Sequence, residues 1–352
     1  MSHPITNGHI FSIIKKVASD PEADGHPEAR KYSTKFRDME QTFFSDVHPL
    51  VDVGLAMSEV LVAKGGAPNI FTFHGVRHVS ELISNMDKIC KSIETDNEAN
   101  RLSYLEAYLL LCAAHIHDVA NISGRADHPS RCSEMLEKYK GSFCAPEINQ
   151  INQVASAHGG KSKQYGRDTI REVDSDNQTD PRLSLLAAIL RLSDELSESP
   201  DRVPELLEKT HEHAEESRLA FEYARSFAKF EFRKGTLYLN YNLYKSALIA
   251  EFKENKTGKT SFVDFLELKL DLIEKECRYC SQYGQPQLFV SKISIVIQAY
   301  AGDAGSKPEK KTTFSLNLNH GYPGDMSTLC MRSPELTEKK IEHLAECFPR
   351  QE

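Results

Sequence analysis

The sequence predicts a mainly α protein. A helical bundle over residues 33–205 is followed by a smaller α+β domain over residues 206–352, and residues 1–32 read as an arm or linker. Three observations carry that reading. Apolar residues recur at helical spacing in successive segments as far as Arg202, with glycine, proline or polar stops between them. After about Val203 the pattern changes, and apolar and polar residues alternate on both sides of Lys234-Gly235, as in a β-hairpin. The chain is also long enough, at 352 residues of which 40% are hydrophobic, to bury a large core in two domains.

The arm opens with a short amphipathic segment, His9 to Ala18, and continues as the polar stretch DPEADGHPEAR. From Tyr32 to Lys64, Phe36, Met39, Phe43, Phe44, Val51, Val53, Leu55, Val60 and Leu61 recur at helical intervals, until Gly65-Gly66-Ala67-Pro68 stops the run. The next helix carries Val79, Leu82, Ile83, Met86 and Ile89 on one side, and His74 and His78 share a face if it starts as early as His74. A buried helix begins at Tyr104 and ends in His115, Ile116, His117 and Asp118; after a loop containing Gly124 the chain becomes helical again near Ser130. Helix Ala145–Ala157 ends in His158-Gly159-Gly160-Lys161-Ser162-Lys163. The most apolar helix places Leu183, Leu186, Ala187 and Leu190 in a stripe that Asp194 extends, before Ser199-Pro200 breaks it. Beyond lie a charged helix (Val203 to Ser226), the hairpin, an amphipathic helix (Ser261 to Tyr279), strands at Leu288–Tyr300 and Thr312–Asn319, and a last helix at Glu335–Cys347.

Composition narrows the function. A formal charge of −8 argues against a general nucleic-acid surface, while leaving room for a small basic pocket. No apolar run approaches the roughly 20 residues of a membrane span, and MSHPITNGHI lacks a signal-peptide core, so a cytoplasmic protein without membrane contact is expected. Of the eight cysteines only Cys277 and Cys280 have metal or redox spacing, and no second such pair accompanies them; reduced thiols are expected.

The histidines carry the chemistry. His117-Asp118 at the end of a buried helix can aim an imidazole nitrogen and a carboxylate oxygen at one point beside it, half of a site for a divalent cation. A helix end with local hydrogen bonds would look the same. His115 is rotated about 200° from His117 and is expected in the core or behind the site. Asp194, at the end of an apolar stripe, is costly to bury unless it is paired, with Arg191 as the simple partner, or binds metal. His78, His117-Asp118 and Asp194 thus stand near the ends of core helices, the way bundles build metal sites. Two imidazoles and two carboxylates suit Mn²⁺, Fe²⁺, Co²⁺, Ni²⁺, Zn²⁺ or Mg²⁺ and leave positions open for water or a phosphate oxygen. Asp127 or His128 is a candidate cap or ligand facing back across the loop. His158, two glycines and two lysines suit an anion, or a solvated turn.

In this order and setting the four residues resemble the HD-domain superfamily of metal-dependent phosphohydrolases. The surrounding words agree: HVSELI after His78, LLLCAAHIHDVA around the doublet, LAAILRLSDELSESPDR around Asp194. The likeness spans roughly residues 45–205. RLSDEL followed by an arginine is most similar to bacterial HD proteins with a further α+β segment, some found with Hsp90-like ATPase partners. The resemblance implies an HD-type bundle with metal on His78, His117, Asp118 and Asp194, and a metal-activated water that attacks a phosphate ester or anhydride. It implies roles for His128 and His158 as phosphate contacts or ligands of a second ion. The interval to His128 is short and His158 is not doubled, so one tightly held ion is expected and a second remains open. His74 is the candidate general acid, in the place of the first histidine of the HNxxH word of cyclic-nucleotide phosphodiesterases, whose asparagine is Gly75 here. Lys161, Lys163, Arg191 and Arg202 are the expected phosphate-binding cations.

Two functions follow as expectations. One is a phosphohydrolase acting on a nucleotide or similar small phosphorylated molecule. The other is a catalytically silent HD-fold module that binds a nucleotide and regulates, since fold and ligands do not by themselves establish turnover. A homodimer or an Hsp90-like ATPase partner is open under either.

Overall fold

The computed structural model describes residues 8–19, 27–63, 67–138, 143–173, 181–210, 212–250, 252, 261–301 and 307–318. The chain divides into two compact units that interleave along the sequence: residues 1–58, 73–197 and 280–289 form one, and residues 59–72, 198–279 and 290–352 the other.

The first unit is helical. α1 (His9–Ser19) and α2 (Pro27–Thr42) lead through a π-helical turn at Phe43–Val47 into α3 (His48–Val62). The start of α1, expected in an arm, packs into the core instead: Ile10, Phe11, Ile13 and Ile14 are buried, and Asp87 caps the helix by accepting from the backbone N–H groups of His9 (3.0 Å) and Ile10 (2.8 Å). In α3, Val51 and Leu55 are buried, whereas Val53, Val60 and Leu61 are more than half exposed. α4 (Val76–Asp96) buries the expected stripe, and α5 (Tyr104–Ile116) is buried on every side from Glu106 onward, as befits a central helix. Short α6 (Cys132–Lys138) and α7 (Ala145–Ser156) follow. α8 (Leu183–Glu195) is buried on all faces from Leu183 to Leu190 and packs on α4, α5 and α7.

Polar ties set how these helices end. Ser103 and Glu106 form a capping box at the start of α5. Glu106 also accepts from the backbone N–H of Arg182 (2.8 Å), its Nε (2.7 Å) and its Nη2 (2.7 Å), joining the starts of α5 and α8. Both helices are 13 residues long. Fixed together at one end, they bring His117-Asp118 and Asp194 to the same level at the other. Asn85 of α4 closes the far end by donating to the Leu196 carbonyl and Ser197 Oγ, each at 3.1 Å.

The second unit holds a four-stranded sheet in the order β1 (Phe227–Arg233), β2 (Thr236–Tyr244), β3 (Lys292–Tyr300), β4 (Lys310–Asn317). The outer pairs are antiparallel and β2–β3 is parallel. The hairpin turns at Lys234 (φ 48°) and Gly235 (φ 66°), both left-handed, as a two-residue turn between twisted strands requires. Leu237, Leu239, Tyr241 and Leu243 alternate inward on β2, and Ile293, Ile295, Ile297 and Ala299 on β3. The charged segment expected as one helix is two, α9 (Glu205–Thr210) and α10 (Glu215–Ser226); Ala214 leaves the helical path, its N–H donating to the Pro68 carbonyl at 3.0 Å. α11 (Lys245–Ile249) and α12 (Phe262–Gly284) form the crossover from β2 to β3. Cys277 and Cys280 are buried on α12 and form no disulfide. The helix expected at Glu335–Cys347 lies outside the described residues. The fold class, a helical bundle with a smaller α+β part, is as the sequence predicts.

Candidate metal centre

Every imidazole and carboxylate of the centre comes from the first unit. α5 stops at Ile116, so His117 is its C-cap and Asp118 (φ −107°, ψ 0°) turns away from the helix. His78 sits in the first turn of α4, and Asp194 in the last turn of α8. His78 Nε2 lies 3.1 Å from His117 Nε2, 3.1 Å from Asp194 Oδ1 and 3.5 Å from Asp118 Oδ2. His117 Nε2 lies 3.5 Å from Asp118 Oδ2 and 3.7 Å from Asp194 Oδ1. Donors about 2.1 Å from one ion stand roughly 3–3.5 Å apart, so this spacing fits a divalent metal.

A second set meets the other oxygen of the same carboxylate. Asp118 Oδ1 is 3.0 Å from His128 Nε2 and 3.8 Å from His158 Nε2, and those two nitrogens are 3.3 Å apart. His78, His117 and Asp118 form one group able to hold a metal, and Asp118, His128 and His158 another. Three of the imidazoles are fixed in the ligating tautomer. The Nδ1 atoms of His117, His158 and His128 face the carbonyl oxygens of Ala114 (2.9 Å), Ala155 (2.5 Å) and Arg125 (3.0 Å). A carbonyl can only accept, so each Nδ1 carries a proton and Nε2 is the nitrogen left to face a metal.

The electrostatics also call for a cation. Burial alone would raise the pKa of Asp118, but the imidazole environment, His117 above all, outweighs it and holds that carboxyl well below its ordinary range. Asp194 is likewise held down, against burial, by His117 and His78. Burial opposes charge on His117, yet Asp118 and Asp194 raise its pKa to about 9, so the two carboxylates favour positive charge between them. Burial, then His117, lowers His158 to about 3, leaving it neutral.

A family profile described as HD-CE matches residues 67–251, just over half of the chain and all of the residues above. The chain belongs to the HD-CE family. No curated protein and no solved structure matches it. Within the HD-CE segment, His78, His117, Asp118 and Asp194 converge, and His128 and His158 join them through the second oxygen of Asp118. His74 stands just outside. It precedes α4 rather than sharing its face, because Asp52 Oδ1 accepts from the backbone N–H groups of His74 (2.6 Å) and Gly75 (3.1 Å) and holds both in an extended lead-in. A Cβ on Gly75 would fall 2.4 Å from the His48 carbonyl oxygen, so an asparagine does not fit there. The His74 and His78 rings are 5.7 Å apart, and His74 Nε2 lies 2.8 Å from Arg125 Nη1.

The expected cations are placed differently. Arg191 donates to Thr169 Oγ1 (2.9 Å) and the Ala157 carbonyl rather than serving as the partner of Asp194. Lys161 and Lys163 are exposed. Lys161 lines a pocket of about 310 Å3 with Asp127, Asn152, Ser156, Gly160 and Glu172. Arg202 belongs to the other unit, 3.6 Å from Glu198. Three residues that the sequence reading missed emerge. Arg125 contacts His74. Buried Asn121 donates to Asp118 Oδ1 at 2.9 Å. His48 Nε2 lies 3.1 Å from His115 Nδ1 among Phe36, Phe43 and Phe44, which draws His115 away from the metal donors. Only Asn121 left a trace in the sequence, three residues after the doublet on the same turn.

Proposed function

We propose that this chain is a metal-dependent phosphohydrolase with a binuclear centre, cleaving a phosphate ester or anhydride of a nucleotide or similar small molecule. One observation carries this reading: the two oxygens of Asp118 face separate sets of donors, His78, His117 and Asp194 on one side and His128 and His158 on the other. Four imidazoles in the two sets favour Mn²⁺, Fe²⁺, Co²⁺, Ni²⁺ or Zn²⁺ over Mg²⁺, which prefers oxygen. Such ions, when bound, lower the pKa of a water and neutralise phosphoryl oxygens.

The protein's own groups supply the rest. Asp118 fixes the separation of the two donor sets. The backbone carbonyls of Ala114, Ala155 and Arg125 hold the Nδ1 side of three imidazoles and so aim each Nε2 at the centre. The side chain of Asp194, 27% exposed against 1% for His78, marks the side from which solvent and substrate reach the centre. His74 stands beside it as a group able to exchange a proton with the substrate.

The test is hydrolysis of nucleoside mono-, di- and triphosphates, cyclic and deoxy forms and alarmones with each metal added, using Asp118→Ala as the blank. Metal-dependent turnover that the variant lacks is the expected result. Equal silence of both proteins, with nucleotide still stabilising the wild type, would overturn the hydrolase and favour the regulatory module.

A further inference from the structure

Arg125 is an exposed residue whose side chain reaches a buried one. It follows Gly124, whose φ of +103° turns the chain back toward the centre after the helical turn Val119–Ser123. Its backbone carbonyl accepts from His128 Nδ1 at 3.0 Å, and its Nη1 lies 2.8 Å from His74 Nε2. One residue therefore orients a donor of the second set and contacts the histidine beside the first.

The chemistry of that second contact is one-directional. A guanidinium has only N–H donors and stays charged, so His74 Nε2 must be the acceptor and cannot carry a proton while Arg125 occupies it. The two partners differ in freedom. His74 is 6% exposed and its backbone is held by Asp52, whereas Arg125 lies on an exposed turn. A phosphoryl group offers a guanidinium two charged acceptors in a matching plane, a stronger partner than one imidazole nitrogen.

We propose that Arg125 is the phosphate clamp of this site and a latch on His74. Without substrate the guanidinium rests on His74 Nε2. With substrate it transfers to the phosphoryl oxygens, and the freed Nε2 turns to the substrate. This inference rests on the phosphohydrolase reading above and assigns a substrate-binding role to a residue outside the metal donors. It also replaces Lys161, Lys163, Arg191 and Arg202 as the first cation met by the phosphate.

The test uses the full chain loaded with Zn²⁺ and inorganic phosphate as probe, in wild type, Arg125→Lys and Arg125→Gln, with metal content confirming an intact centre. Calorimetry is expected to show phosphate affinity reduced roughly tenfold to a hundredfold in Arg125→Gln and less in Arg125→Lys. Ring-nitrogen NMR of histidine-labelled protein reads the latch. Phosphate should shift the His74 Nε2 signal in wild type, whereas Arg125→Gln should start shifted and respond little. A purely structural Arg125 would not move that signal on phosphate addition. Undiminished phosphate binding by Arg125→Gln, or a His74 signal indifferent to phosphate, overturns the proposal. If phosphate binds through Arg125 while no ester is hydrolysed, the clamp stands and the hydrolase reading falls. If hydrolysis is metal-dependent and Arg125→Gln binds phosphate normally, the reverse holds.

Discussion

On the Oδ2 side of Asp118 the donors come from the ends of long core helices, and on the Oδ1 side they come from turns. His78, His117 and Asp194 ride on α4, α5 and α8, which Glu106–Arg182 ties at one end and Asn85 at the other. His128 follows Asp127 in the left-handed region (φ 53°), and His158 precedes Gly159 and Gly160. Helical donors are positioned when the core folds, so the cost of ordering them is met before metal arrives. Turn donors keep more freedom, and part of the binding energy goes into fixing them. The first ion should therefore bind tightly and the second more loosely, although one carboxylate serves both.

The sharpest way to break that comparison is to remove one donor from each side. His117→Ala should lose the first ion and cut hydrolysis by more than the roughly 100-fold that loss of a mere outer partner costs. His128→Ala should keep about one ion per chain and lose less activity. Metal content by emission spectroscopy, paired with kcat, reads both. Retention of both ions in His117→Ala, or their joint loss in His128→Ala, would show that the two sides act as one.

A smaller change sharpens the same contrast. Asn121 Nδ2 donates to Oδ1 and not to Oδ2, so Asn121→Ala should weaken the second ion by about 10–100-fold and leave the first unchanged. Competition with a chelator at two metal levels separates the affinities. Equal weakening of both ions would mean that Asn121 orients the whole carboxylate.

This contrast also explains what could be read from the sequence. His78, His117, Asp118 and Asp194 are legible because each stands at one end of a periodic helix, His78 at its start and the others at its close, and periodicity survives without tertiary knowledge. His128 and His158 were visible as residues, but their meeting point depends on a left-handed Asp127 and on two glycines beside Pro129, which spacing does not encode. Arg191 fits the pattern of a partner for Asp194 at three residues' distance, yet its guanidinium is taken by Thr169. That partner comes from a loop 22 positions away in sequence. α1 looked like an arm because its amphipathic run is short and polar residues follow it. Its cap, Asp87, lies on α4, where no local pattern announces it. In the second unit the hairpin was legible from Lys234-Gly235, whereas the parallel β2–β3 pairing, being non-local, was not.

A change that touches neither side of Asp118 calibrates these effects. Glu40 of α2 is 5% exposed, and among the described residues its Oε1 meets no hydrogen-bond donor. Burial raises its pKa from 4.5 to about 7, opposed by Arg37. Below about pH 4.5 the carboxyl is neutral in both folded and unfolded chains and costs nothing. As pH climbs toward 7 the unfolded chain ionises first, so stability falls across that window and the cost then stays constant. Glutamine cannot ionise. Glu40→Gln should match wild type near pH 4 and exceed it near pH 8 by at most about 3 kcal/mol, with metal content and kcat unchanged. Denaturant unfolding at the two pH values measures the gap. A gap that does not widen with pH would mean that Glu40 is solvated or paired. A widening gap with altered metal content would mean that α2 packing reaches the centre, and losses in the donor variants would then need correcting for stability.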